Sequence, residues 1–299
     1  MSLVRFNFES MYLRQMCDVN IILPDRPRSK DPEAFYTNGK KYKVLWLLHG
    51  TYGDYSDWVR HSGIELYACE KDCIVVMPSA MNTNYENWPS FGTGYYFYDF
   101  FIKELMPVVH NWFPASSKRE DNFISGLSMG SMGALKLALE NPDKFGAVAA
   151  LSGFLECCEE NREWMEYVMT LDYKDLVEKS KVFKGPFDEA FREIRMFNEI
   201  LNNGGTVEEY IRRNDARNIV DDYLKSGNKL KIMCACGVND PLYPDFIKMR
   251  KVFEEKNVDA TYMTDTELMH EWRFWEKYIQ KAFDFFGLIG ETGGREFVG

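Results

Sequence analysis

The chain has 299 residues, 45% hydrophobic and 27% charged, which suits one large α/β domain carrying an insertion. Its net charge is −10 and no run of Lys or Arg forms a basic stripe, so nucleic acid and anionic membrane surfaces are excluded as partners, because phosphate binding needs clustered cations. Seven cysteines occur without a CxxC pair and without a His at ligand spacing, which excludes a zinc site and predicts free, mostly buried thiols in a reducing compartment.

Residues 1–20 lack the basic start and unbroken apolar stretch of a secretion signal, and no segment reaches the roughly 18 apolar residues of a spanning helix. The expected location is therefore cytoplasmic, with no membrane partner. Short strands come first, over residues 19–23 and 43–48. The second is almost continuously apolar, as a strand buried on both faces should be. Residues 73–77, ending at Pro78, read the same way. A helix is predicted over 97–112 with a bend at Pro107, then a strand at 122–125 and a helix over 132–140 closed by Asn141-Pro142. Strands at 147–151, 230–236 and 260–263 alternate with helices at 246–255 and 272–286. That alternation predicts a mainly parallel, doubly wound sheet forming a single domain over residues 1–299.

Residues 154–228 break the alternation. They hold no convincing strand, only helical segments such as 162–169 and 188–201, the latter stopped by Asn202-Asn203-Gly204-Gly205. This is a helical insertion and a candidate lid; plain elaboration of the helical layer is the alternative. Tyr85, Trp88, Phe91, Tyr95 and Tyr96 lie in a Gly- and Asn-rich stretch expected to stay outside the core. Of these, Trp88, Tyr95 and Tyr96, together with Tyr52, are candidates to line a substrate pocket, a packed loop being the other reading. The tail over 287–299 has no periodicity, offers only Phe297 for packing and is assigned no function.

Gly126-Leu127-Ser128-Met129-Gly130 fits G-x-S-x-G between a buried strand and a helix, the setting of a nucleophile elbow. The serine must occupy a tight strand-to-helix turn, which requires small residues two positions to either side. The turn also aims the helix N-terminus at the reacting oxygen. A serine needs a base, and of His49, His61, His110 and His270 only His270 follows Ser128, as the chain order Ser–acid–His requires. Asp240, in the turn Gly237-Val238-Asn239-Asp240-Pro241 after the strand at 230–236, is the expected acid; Asp245 and Asp265 are its rivals. Asp245 reads as a helix cap. The loop His49-Gly50-Thr51-Tyr52-Gly53 follows the strand at 43–48, so the Thr51 and Met129 N–H groups are the candidate oxyanion hole, with His49 bracing the loop.

With Leu47-Leu48-His49-Gly50, the elbow, Gly237 through Asp240, His270-Glu271-Trp272 and Phe274-Trp275, the chain resembles the tributyrin esterase and esterase D group of α/β-hydrolases. That group includes feruloyl esterases and S-formylglutathione hydrolases. The resemblance spans residues 4–286 but is weak across the insertion, which is longer and more acidic than in the group, and Ser131 stands where relatives often have Gly. It implies a cofactor-free serine carboxylesterase acting on small acyl groups (short-chain, acetyl or cinnamoyl-type), with a small-molecule ester as partner. Association into a homo-oligomer is compatible with the sequence. The same triad would equally serve acyl transfer to an alcohol or sugar. A non-catalytic binding module would be expected to show a broken triad, and here all three members are present.

Overall fold

The computed structural model describes residues 2–182, 184, 185 and 188–290. Among the described residues ten strands follow one another: β1 (Ser2–Ser10), β2 (Gln15–Leu23), β3 (Lys43–Leu48), β4 (Cys73–Pro78), β5 (Asn87–Trp88), β6 (Tyr95–Tyr96), β7 (Asn122–Leu127), β8 (Ala147–Leu151), β9 (Lys231–Gly237) and β10 (Thr261–Asp265). Eight form one sheet in the order β1-β2-β4-β3-β7-β8-β9-β10. Neighbours from β4 to β10 run parallel, while β2 pairs antiparallel with both β1 and β4.

Both faces of this sheet are covered, and β3 shows why its sequence carries no polar alternation. Val44, Trp46 and Leu48 point into a core shared with Ala134, Leu135 and Ala138 of the helix Met129–Glu140. Leu45 and Leu47 point the other way, onto Phe274, Tyr278 and Ile279 of the helix Trp272–Phe285. Every position from Val44 to Leu48 is at most 1% exposed, so each side chain must be apolar.

Three expectations need correction. β1 lies outside the predicted strands: it is an edge strand whose Val4, Phe6 and Phe8 pack inward, with the Phe6 and Phe8 rings stacked at 4.8 Å. The predicted helix over 97–112 is three pieces, Phe97–Asp99, a π-helical turn Phe100–Leu105, and Met106–Trp112. Pro107 has no N–H and its ring crowds the carbonyl four residues back; the wide turn just before it accommodates both defects. The aromatic stretch after Tyr85 does enter the core, because β5 and β6 pair as a small hairpin that turns Trp88 and Tyr95 inward.

The insertion folds as helices Arg162–Thr170, Tyr173–Ser180, Glu189–Asn202, Val207–Asn214 and Ala216–Lys225. It has a small core of its own, made by Met165, Val168, Met196, Ile200, Tyr210 and Ile211. Buried polar contacts tie it to the segment around β5. Glu199 accepts from Arg195 Nε at 2.7 Å and from Tyr210 OH at 3.0 Å, and Asn84 bonds to both Arg195 and Glu199. Lys136 bridges Glu86 and Asn214, and Asn203 donates to Glu86 at 2.5 Å. Among the described residues no helix is long and apolar enough to cross a membrane. All seven cysteines are free and buried. Phe297 falls outside the described residues.

Candidate active site

The parallel strands deliver their C-terminal ends to one edge of the sheet, where loops carry the chemistry. Ser128 follows β7 directly and precedes the helix Met129–Glu140, at φ 53° and ψ −122°. No side chain occupies that conformation cheaply, so the turn must be held by its surroundings. The surroundings explain the two glycines. A Cβ on Gly126 would lie 2.4 Å from the Gly130 carbonyl oxygen, and one on Gly130 would lie 2.4 Å from the His49 carbonyl oxygen. Backbone meets backbone on both sides, and only glycine fits. Ser128 N–H donates to Leu151 O at 2.9 Å, and Ser131 Oγ donates to Gly153 O at 2.5 Å, locking the elbow to the chain leaving β8. Ser131 thereby has a structural task that Gly could not perform.

His270 lies in the loop between β10 and the last helix, with Nε2 3.0 Å from Ser128 Oγ. Its Nδ1 lies 3.1 and 3.0 Å from the two carboxylate oxygens of Asp240, in the turn after β9. The Asp240 side chain is fully buried and His270 keeps 19% exposure. An ionised carboxylate only accepts, so Nδ1 carries the proton and the Nε2 lone pair faces the Ser128 hydroxyl. Asp240 Oδ1 also accepts from Leu242 N–H at 2.8 Å, which fixes the carboxylate plane. The structure thus brings together the serine, base and acid named from sequence.

The rivals lie elsewhere. Asp265 ends β10 with Oδ2 2.7 Å from Lys277 Nζ and Oδ1 accepting from the Glu267 and Leu268 N–H groups. The Lys277 hydrogen bond, with these N–H donors, holds its carboxyl well below the usual range. Asp245 is not the helix cap, a place taken by Leu242; it lines the cavity beside Ser128, where burial raises its pKa. Of the other histidines, His61 stacks on Trp272 at 4.7 Å and His110 bonds Asn122 at 3.0 Å. His49 is buried and pushed down to about 4, chiefly by burial, so the ring is neutral. Its Nε2 accepts from Ala80 N–H at 2.9 Å, leaving Nδ1 to donate to Gly50 O at 2.7 Å. It braces the loop that carries Thr51.

A cavity of about 600 Å³ opens on Ser128, and Thr51 and Met129 both line it. Met129 is the first residue of its helix, where N–H groups have no partner within the helix. The four aromatic candidates do not line this cavity. Trp88 and Tyr95 are turned into the core by the β5–β6 hairpin, and Tyr96 faces a separate cavity of about 540 Å³. Tyr52 is half exposed, with its ring 5.6 Å from that of Phe191. The wall instead comes from Asp245, which the sequence offered only as a rival acid and helix cap, and from residues sequence reading did not single out, Glu156, Trp164, Arg192, Arg195 and Met196. Those last five belong to the insertion. The only sequence trace is in the helix Glu189–Asn202, where Arg195 and Glu199 share a face with Met196 and Ile200, charge placed at positions that spacing assigns to an interior. Among the described residues no cluster of His, Cys, Asp and Glu could hold a metal ion.

Comparison with known proteins adds to this geometry. The profile of the Esterase family, described as "Putative esterase", matches residues 10–285. An acetyl esterase of Caldicellulosiruptor saccharolyticus is 27% identical over 294 residues, covering 97% of this chain and all of that protein. Among solved structures, the fluorophosphonate-binding serine hydrolase F of Staphylococcus aureus superposes with a TM-score of 0.73 at 26% identity, over 95% of this chain and 98% of that one. The S-formylglutathione hydrolase of the same organism gives 0.70 at 25% identity with the same coverage.

Proposed function

This chain belongs to the esterase family as a carboxylic ester hydrolase of the α/β-hydrolase fold, and from that premise we propose that Ser128, His270 and Asp240 are its catalytic triad, acting on esters of small acyl groups. The observation that carries this reading is the unbroken hydrogen-bond chain from Ser128 Oγ through His270 to Asp240, with links of 3.0 to 3.1 Å. Ser128 Oγ attacks the ester carbonyl while His270 Nε2 takes its proton. Asp240 holds the tautomer and stabilises the imidazolium. The oxyanion is received by the Met129 and Thr51 N–H groups. The alcohol leaves with the proton from His270, and water repeats the cycle on the acyl-enzyme.

The preference for small acyl groups is supported by the acetyl esterase relative and by charged groups such as Glu156 and Arg195 in the cavity wall, which oppose a long apolar chain. The insertion over 154–228 acts in this reading as a roof pinned in place by the Arg195–Glu199–Asn84 contacts rather than as a freely opening lid. Ser128→Ala should abolish hydrolysis of p-nitrophenyl acetate and labelling by a fluorophosphonate while leaving the melting temperature within a few degrees. A folded Ser128→Ala protein with wild-type turnover would end this reading.

A further inference from the structure

The Thr51 N–H sits on a turn whose own sequence does not favour its backbone. Gly53 N–H donates to Gly50 O at 3.1 Å, so Gly50-Thr51-Tyr52-Gly53 is a hydrogen-bonded β-turn with Thr51 and Tyr52 at its centre. Of these two only Tyr52 has a positive φ, 67°, which makes the turn type II. That third position is normally Gly or Asn, because a larger side chain there crowds its own backbone. With Tyr in place the type I turn, in which the peptide between Thr51 and Tyr52 is turned over, is intrinsically preferred. The turn also begins against the nucleophile: a Cβ on Gly50 would lie 3.4 Å from Ser128 Cβ. A change in its backbone is therefore felt at the reacting centre.

The hold on Tyr52 comes from the segment after β4. Tyr52 N–H donates to Asn82 Oδ1 at 2.8 Å. Turning the peptide over would swing this N–H away and bring the Thr51 carbonyl oxygen round to face the Asn82 oxygen, acceptor against acceptor. Asn82 is itself fixed by its neighbours. Ala80 N–H donates to His49 Nε2 at 2.9 Å, Thr83 Oγ1 to Ala80 O at 2.7 Å, and Tyr85 OH to His49 O at 2.6 Å. Beyond the turn, Tyr55 N–H donates to Ser79 Oγ at 2.9 Å. One short segment thus grips the chain before Thr51, at His49, and after it, at Tyr52 and Tyr55.

We propose that Asn82 is a positioning residue for the oxyanion hole. By accepting the Tyr52 N–H it holds the Gly50–Gly53 turn in its type II form and keeps the Thr51 N–H aimed at the ester oxygen over Ser128. Asn82 is needed because residue 52 is not glycine. The Tyr52 side chain has a use of its own, since its ring lies 5.6 Å from that of Phe191 in the insertion and links the turn to the roof. A strained backbone of this kind persists only where its surroundings determine it, and here Asn82 supplies the determining contact. This inference rests on the reading above that the Thr51 N–H receives the oxyanion.

The test measures p-nitrophenyl acetate hydrolysis and the rate of fluorophosphonate labelling in wild type, Asn82→Ala, Tyr52→Gly, the double variant and Thr51→Pro. Asn82→Ala should lower kcat about 10- to 100-fold, part of what a whole oxyanion donor supplies, with KM within about twofold of wild type. Labelling should slow in step, because the phosphonyl oxygen occupies the place of the oxyanion. Glycine takes a positive φ unaided, so the double variant should match Tyr52→Gly alone within about threefold. Thr51→Pro deletes the donor itself yet suits the second position of a type II turn, and should cost about 100- to 1000-fold in kcat. Wild-type kcat in Asn82→Ala would overturn the proposal. So would a loss that persists when Tyr52→Gly is added, since a collapsed segment is not repaired by glycine at position 52. Should Asn82→Ala fail to fold, Asn82→Ser, polar but too short to reach the Tyr52 N–H, decides by the same comparison. If Thr51→Pro keeps wild-type turnover, the oxyanion reading itself has failed and Asn82 has no donor to position.

Discussion

Asp240 presents both carboxylate oxygens to His270 Nδ1, at 3.1 and 3.0 Å, while Asp265, only five residues before the histidine in sequence, turns away to Lys277 at 2.7 Å. Nearness along the chain is misleading here. Asp265 closes β10 and caps the turn that follows, whereas Asp240 crosses from the neighbouring strand to reach the ring.

The two aspartates therefore separate experimentally. Asp240→Asn keeps the shape but favours the wrong imidazole tautomer, a change that costs about 10⁴ in turnover in the serine-protease template. Asp265→Asn should leave kcat within a few-fold. It should cost about 1 kcal/mol of stability, because its partner Lys277 is 47% exposed and solvent screens the pair. Ester hydrolysis and urea unfolding of both variants check this; an active Asp240→Asn beside an inactive Asp265→Asn would reverse the assignment.

The elbow predicts a second outcome. The Cβ of Gly130→Ala would meet the His49 and Leu48 carbonyl oxygens at 2.4 and 2.7 Å, both on the backbone of the strand and loop beneath. Neither can yield as a flexible side chain would. Strain of this kind costs about 1–3 kcal/mol and displaces Ser128, so Gly130→Ala should lower the melting temperature and slow fluorophosphonate labelling. Wild-type labelling rates in this variant would show that the close approach is relaxed in solution.

The sequence makes legible what local rules govern. G-x-S-x-G marks its turn because backbone contact demands both glycines, and the chain order Ser–acid–His leaves His270 as the one candidate base. β3 and β8 read as buried strands because both their faces are covered. β1 carries a readable signal too, since Val4, Phe6 and Phe8 alternate with Arg5, Asn7 and Glu9, although it is missing from the predicted strands. The cavity wall is not legible. Glu156, Arg192 and Asp245 come from separate segments and meet only when the insertion docks, and no spacing rule encodes that docking. Trp88 and Tyr95 mislead for a related reason: a hairpin of two-residue strands, too short for periodicity, turns them into the core.

His49 gives stability a pH dependence of known sign. Burial moves its imidazole from an ordinary 6.5 down to about 4, so the unfolded chain takes up the proton first. Its contribution is complete above pH 6.5 and is lost as pH falls toward 4. Between those limits the slope approaches about 1.4 kcal/mol per pH unit, because one proton separates the two states. Glu156, raised to about 7, acts in the opposite direction over the same window. The difference between wild type and His49→Gln therefore carries the test, not the wild-type curve. Urea unfolding between about pH 7 and 4.5 should show wild type losing its advantage over His49→Gln as pH drops. A constant difference would mean that His49 titrates alike in both states.

The pinned roof gives the last prediction. Glu199 is 3% exposed and accepts from Arg195 Nε at 2.7 Å and Tyr210 OH at 3.0 Å, while Asn84 reaches it from the segment before β5. Glu199→Ala would leave Arg195 without its counter-charge in a largely enclosed setting. Breaking a buried pair this way costs about 3–5 kcal/mol at full burial, and since Arg195 keeps 23% side-chain exposure the expectation here is about 2–4 kcal/mol. The loss should be local first, because the helices Arg162–Thr170, Glu189–Asn202 and Val207–Asn214 share a small core of their own, while Ala216, Ile219, Val220 and Tyr223 of the helix Ala216–Lys225 stay packed in the main core. Limited proteolysis of Glu199→Ala should therefore cut within 154–228 at urea concentrations where far-ultraviolet dichroism still reports the sheet intact. Replacement by Gln, which can still accept from Arg195, should be milder. If Glu199→Ala resists protease as wild type does and unfolds at the same urea midpoint, the roof is held by its apolar contacts, and the Arg195–Glu199–Asn84 network serves only to orient the cavity wall.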